Sequence, residues 1–243
     1  MKRTLATALL CLFAPIVSAG GPADYVFTPA VTYGEHEIDF KAGSWKKSGE
    51  GRSSAASIGY GYGVTQHWFT EVYRKYERSE DAGTHFDAWE WENKLQLTEP
   101  GRFPVDLGFI LEIERPQDRT EGYEVLFGPL LQTEAGRFQF NANLLLEQHY
   151  RSESTQRSLL AYQWQVKYRW QQQFEFGLQG FGNGGSWNHW DAVTERSNRI
   201  GPAIFGKLPF GNRQALRYNA AWLVSTASNL PSQNFRAQIE YEF

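Results

Sequence analysis

The residues best placed to do chemistry in this chain are charged ones that recur at every second position. Glu71, Glu90, Glu92, Glu112, Glu114, Glu124, Glu134 and Glu147 do so, with Asp106 on the same parity and Lys75 and Lys94 among them. From 167 onward Lys167, Arg169, Arg199, Lys207, Arg217 and Arg236 take over, accompanied by Glu175, Glu240 and Glu242. Alternate residues of an extended chain share a face. One face of the fold therefore carries a mainly acidic wall and a mainly basic wall. If that face encloses water, the walls set up a transverse field that orients polar or zwitterionic solutes. If it encloses none, the same residues form a plug of salt bridges filling a narrow interior. Both readings stand at this point. Gly59, Gly61 and Gly63 share the inward face of their strand and leave room there, which favours a pore.

Catalytic and metal-binding arrangements are poorly supplied. His149 is followed two residues on by Arg151, so a serine sharing its face is missing, and Ser152 and Ser154 have the wrong parity. His85-Phe86-Asp87 and His189-Trp190-Asp191 put a histidine beside an acid at strand ends, a pairing common on surfaces. His36, His67, His85, His149 and His189 are scattered without ligand spacing, so neither a metal nor another cofactor is expected. The stretch Gly182 to Ser197 holds two tryptophans, a histidine and an acid, and reads as a surface loop able to bind a ligand or rest on headgroups.

The elements that must position these residues follow from the period of two. In 104–114, Val105, Leu107, Phe109, Leu111 and Ile113 oppose Asp106, Gly108, Glu112 and Glu114, with Ile110 the exception. The same pattern runs through 137–149, 158–169 and 235–243. Twelve strands are expected, over 30–45, 53–64, 68–78, 86–97, 103–114, 122–134, 137–150, 158–170, 173–182, 198–208, 213–225 and 234–243. Connections after even-numbered strands are tight, as at 65–67, 98–102 and 135–136. Those after odd-numbered strands are longer and more polar. Aromatic residues gather at both ends: Trp68, Phe103, Phe138, Phe174, Phe210 and Phe243 beside the tight turns, and Trp45, Trp89, Tyr123, Tyr150 and Tyr162 nearer the longer loops. Sorted connections, an even strand count and two aromatic girdles are the pattern of a closed antiparallel up-and-down transmembrane β-barrel with both termini at the tight-turn, periplasmic end.

Residues 1–19 read as a cleavable export signal, with Lys2 and Arg3, an apolar stretch from Leu5 to Val17, and small residues before the cut. Residues 20–243 form the barrel domain. Without the signal, 22 basic residues stand against 27 acidic ones, a formal charge of −5, which gives no reason to expect a nucleic-acid partner. Cys11 is the only cysteine, so disulfides play no part. No later segment is long and apolar enough for a transmembrane helix.

These features, with the final strand ending Ile239-Glu240-Tyr241-Glu242-Phe243, resemble Gram-negative outer-membrane barrel proteins as a class. The resemblance implies outer-membrane lipid around the barrel and a terminal signal, Ile239, Tyr241 and Phe243, read by the barrel-assembly machinery. At twelve strands the size is similar to small channels for nucleosides or acidic sugars and to the outer-membrane phospholipase. The expected function is a porin-like channel for small polar or charged solutes. The alternatives are a closed barrel that binds a partner at its surface and, behind it, a membrane hydrolase. Sequence sets neither the solute nor the oligomeric state.

Overall fold

The computed structural model describes residues 21–47, 51–80, 82–153, 157–187, 189–190, 198–211, 214–226 and 232–243. The export-signal reading of 1–19 and most of the 188–197 stretch, including Asp191 and the side chain of His189, lie outside them. The strands are β1 (His36–Lys47), β2 (Arg52–Gly63), β3 (Trp68–Ser79), β4 (Gly83–Gln96), β5 (Asp106–Pro116), β6 (Tyr123–Ala135), β7 (Phe138–Tyr150), β8 (Leu159–Gln171), β9 (Phe174–Ser186), β10 (His189–Trp190), β11 (Asn198–Pro209), β12 (Ala215–Ser225) and β13 (Ser232–Glu242). β10 only extends the tip of β9 by two residue pairs. The other twelve are long, and each pairs antiparallel with its neighbour in the chain.

β13 pairs with β1, from Glu37 opposite Glu242 to Lys47 opposite Ser232, and this seam closes the sheet. His36 and Phe243 exchange backbone hydrogen bonds at 3.1 and 2.9 Å and fix the register at the rim. A closed ring leaves no edge, so each of the twelve long strands finds backbone partners on both sides, as a lipid surround requires. The outward face is apolar and exposed: Ile38, Phe40, Ile58, Val72, Leu107, Leu144, Leu178, Ile204, Trp222 and Ile239 all stand on it. Trp68, Phe103, Phe138, Phe174, Phe210 and Phe243 are exposed near the tight turns, and Trp89 and Tyr150 near the loops. Trp45 departs from the girdle expected of it. Its odd position in β1 turns it into the lumen, where it is buried beneath Arg199.

Several boundaries differ from the sequence pattern. The fourth strand begins at Gly83, not 86, and the ninth reaches Ser186, not 182, so the wall rises further above the bilayer. The fifth begins at Asp106, not 103, because Pro104 removes a donor and Asp106 Oδ1 instead accepts from Gly101 N at 2.7 Å. The resulting turn, 97–105, is longer than the loop at 80–82, so connection length is not strictly sorted.

The largest difference concerns the first strand, expected over 30–45. β1 begins at His36, and residues 21–33 leave the wall altogether. Gly34, at φ 73°, reverses the chain at the tight-turn rim, where Gly34 N donates to Gly63 O at 2.8 Å and Gly63 N to Glu35 O at 2.9 Å. The segment then climbs inside the barrel. The chain passes so close to the wall that a Cβ on Gly63 would overlap Thr32 O, and one on Gly43 would overlap Pro22 O. The inward glycines of β2 therefore leave no open space. Gly63 admits the segment, while Gly59 and Gly61 lie under the rings of Tyr73 and Phe69.

Candidate functional site

The candidate site is the lumen, and its centre is the seal made by Tyr25, Val26 and Phe27. Phe27 is buried among Ile110, Leu130, Leu145 and Ala161, from β5 to β8. Val26 points to the opposite wall, among Phe181, Ala203, Phe205, Ala221 and Leu223 of β9, β11 and β12. Tyr25 turns to the third side, where its ring lies under Lys41 Nζ at 3.6 Å and its hydroxyl donates to Glu92. Three consecutive residues thus meet wall residues around most of the barrel. These wall residues break the polar rule for the inward face, and Ile110, the misfit in the sequence pattern, is one of them.

Side-chain amides hold the segment's backbone. Asn143 Nδ2 donates to Phe27 O at 3.0 Å, and Phe27 N donates to Gln163 Oε1 at 3.3 Å. Val31 N donates to Gln96 Oε1 at 2.8 Å, and Asn234 Nδ2 to Pro22 O at 2.9 Å. An extended chain detached from a sheet has unpaired N–H and C=O groups, and buried ones must find partners. Lumenal Asn and Gln supply them without charge.

The seal divides the lumen into two cavities. The outer one, about 600 Å³, is open toward the loops and is lined by Asp24, Glu77, Asp87, Glu90, Glu112, Glu114, Glu124 and Glu147 against Lys41, Lys75 and His149. Strand register explains the acidic excess. Glu71, Glu92 and Glu112 are directly opposed across β3, β4 and β5, and Glu90, Glu114, Glu124 and His149 across β4 to β7. Two stacked rows of like charge result, an arrangement that destabilises a sheet unless something intervenes. Lys75 intervenes by bridging Glu90, at 2.9 Å, and Glu114. Lys41 pairs with Asp39 at 3.5 Å.

His149 Nε2 lies 3.3 Å from Glu147 Oε1 and 4.0 Å from Glu124 Oε2. This trio, and Glu90 with Glu92 and Glu112, each bring three ligand atoms within 4.8 Å of one another, a spacing that would suit a cation. Sequence spacing missed the trio because cross-strand pairing assembles it.

The inner cavity, about 560 Å³, opens toward the tight-turn rim. The basic residues read from the sequence fall into two groups. Lys167, Arg169, Lys207 and Arg217 line this inner cavity, and each has an acid partner. Lys167 pairs with Glu175 at 3.1 Å, Arg169 with Glu134 at 2.6 Å, and Lys207 with Glu242 at 2.6 Å, while Arg217 also contacts Glu242. Glu134 therefore sits at the rim, away from the other acids of its wall. Arg199 and Arg236 lie higher, buried against the segment at Asp24. Asp106 caps the 97–105 turn. Lys94 lies over the Phe69 ring at 4.9 Å. Ile239 and Tyr241 face outward on β13, and Phe243, which follows it, stacks on Tyr241 at 5.5 Å.

No protein-family model and no curated protein matches the chain. Solved barrels do. The NanC porin superposes with a TM-score of 0.58 at 12% identity, covering 83% of this chain and 98% of its own. The translocator domain of the autotransporter NalP from Neisseria meningitidis gives 0.54 at 14%, covering 87% and 89%. The KdgM porin, solved in complex with disordered oligogalacturonate, gives 0.52 at 8%, covering 85% and 99%. At these identities the likeness establishes the fold. The chain is a closed antiparallel barrel of the outer-membrane type.

Proposed function

We propose that the protein is a porin-like channel of the outer membrane, passing small polar or charged solutes, and that residues 21–33 are its gate. The observation that carries this reading is the pair of cavities of about 600 and 560 Å³, both bordered by charged side chains, separated by a seal three residues thick. A purely structural barrel of this size gains by filling its interior with side chains. Here the apolar filling is confined to one level, and the segment around it is held by side-chain amides and by the ion pair of Asp24 with Arg199.

In this reading residues 1–19 are removed on export, and Ile239, Tyr241 and Phe243 present the assembly signal. The acidic side of the outer cavity, on β3 to β7, attracts cationic groups, Arg199 and Arg236 lie across the barrel from it and attract anionic ones, and the matched pairs of the inner cavity leave a more balanced field. The closed-barrel alternative draws support from the seal itself.

Planar-bilayer recording separates the two. The intact chain is expected to be silent or to open in brief steps, and deletion of residues 21–31 should give sustained, weakly cation-selective conductance. A folded deletion variant that never conducts would sink the channel reading.

A further inference from the structure

Arg199 and Arg236 are 3% and 1% exposed, and they lie side by side over the ring of Phe181, at 5.7 and 5.6 Å. Among the described residues, the one carboxylate within ion-pair distance of Arg199 is Asp24 of the gate, and Arg236 has none. Asp24 is a poor partner. Its Oδ2 lies 3.4 Å from Arg199 Nη2, while its Oδ1 is taken by Gly21 N at 2.7 Å. Arg236 donates to the Asp24 carbonyl oxygen and to Asn219 Oδ1. Arg199 Nη1 donates to Asn234 Oδ1 at 3.3 Å. Among the described residues neither arginine's buried Nε–H has an acceptor.

A guanidinium offers two parallel donors, Nε–H and one Nη–H, that match the two oxygens of a carboxylate. Asp24 uses one of them, at long range, because its backbone is committed to the seal. A buried donor left without an acceptor costs the full desolvation of that group. The arrangement is therefore a binding site filled by an imperfect occupant.

We propose that Arg199 and Arg236 form a carboxylate-binding site of the lumen, that Asp24 is its built-in placeholder, and that a small carboxylic acid entering from the outer cavity replaces it. This rests on the channel reading above. Asp24 lines the outer cavity, so the site is approached from that side. Trp45 and Phe181, which border the outer cavity, lie under the Arg199 guanidinium at 4.5 and 5.7 Å and hold it in place. Replacing Asp24 frees the residue next to Tyr25 and Val26, so occupancy is coupled to the seal. The coupling is reciprocal: whatever weakens the seal strengthens binding of the acid.

The test uses Val26 as reporter. Val26 is replaced by Cys in residues 20–243, which hold no other cysteine, and the protein is placed in lipid vesicles with a membrane-impermeant maleimide. Glucuronate should accelerate labelling saturably, and glucose should not. Arg199→Gln or Arg236→Gln should abolish the acceleration, while Arg199→Lys, which keeps the charge and loses the fork, should weaken it. Asp24→Asn should raise the basal rate about tenfold, the worth of a hydrogen bond to a charged group. Equal responses to glucuronate and glucose would overturn the site, as would a response that survives in both Arg→Gln variants with folding verified. A deletion variant silent in the bilayer beside an intact glucuronate response would remove the channel and leave the site standing.

Discussion

Replacing Phe27 by Ala tests whether the seal is held by packing. The Phe27 ring is buried against Ile110, Leu130, Leu145 and Ala161 of four different strands. Truncating such a ring to a methyl costs about 3–5 kcal/mol in a packed interior. The barrel wall does not depend on Phe27 for its hydrogen bonds, so most of that cost falls on docking of the segment. The low end applies here, because the apolar wall residues face lumenal water in the undocked state of both proteins. A loss of about 3 kcal/mol multiplies the undocked population by roughly a hundredfold, at 1.4 kcal/mol per factor of ten. Single-channel recording reads this directly: brief rare openings in the parent should become frequent in Phe27→Ala, with unchanged open-state conductance. Thermal unfolding of the barrel should move little. The reasoning fails if Phe27→Ala is as silent as the parent while deletion of residues 21–31 conducts, since the seal would then reside in the polar contacts at Asp24 and Tyr25.

Gly43→Ala should loosen the upper part of the segment, because its Cβ would overlap Pro22 O; faster proteolysis of the N-terminal segment, with the barrel intact, is the expected result. Neutralising Arg169, Lys207 and Arg217 together should shift ion selectivity of the opened channel toward cations, since Glu134 and Glu242 stay behind without partners; unchanged reversal potentials would refute their placement in the conduction path. Lys75→Met strands Glu90 and Glu114 in the outer cavity and should destabilise the barrel by roughly 2 kcal/mol, less than the 3–5 of a fully buried pair because Lys75 keeps contact with water. The deficit should shrink as pH falls, because the stranded carboxylates repel only while ionised; a pH-independent melting temperature difference would argue against it.

The wall of the barrel was legible because lipid outside and water inside impose a strict alternation that survives in single residues. Ile38, Phe40, Phe138, Phe140 and Ile239 all stand on the side their parity assigns. The rim was less legible, since strands rising above the bilayer lose that constraint and Gly180, Gly182 and Gly184 carry no side chain to read. The interior was hidden for a definite reason. Trp45, Ile110, Leu130 and Leu145 are apolar residues on the polar parity, and the alternation rule alone can treat each only as noise. Taken together they mark an apolar belt inside the lumen, and an apolar belt needs an occupant. The segment 21–33 supplies one in Tyr25-Val26-Phe27, flanked by two prolines, Pro22 and Pro29. Prolines suit a chain that pairs with side chains in place of a sheet. The partners of the charged residues were hidden for another reason: pairs such as Lys207 with Glu242 and Arg199 with Asp24 join residues far apart in the chain, and parity gives a face without giving a neighbour.

The segment's binding surface belongs to no hairpin. Pro22 is held from β13, Phe27 from β7 and β8, and Val31 from β4, with partners 212, 116, 136 and 65 residues away. Each such contact carries a loop-closure cost that local pairing of strands does not. The set of partners is complete only when β13 has joined β1, because Pro22 is held by Asn234 of β13. The last stroke that closes the ring is therefore also the one that completes the closing of its lumen.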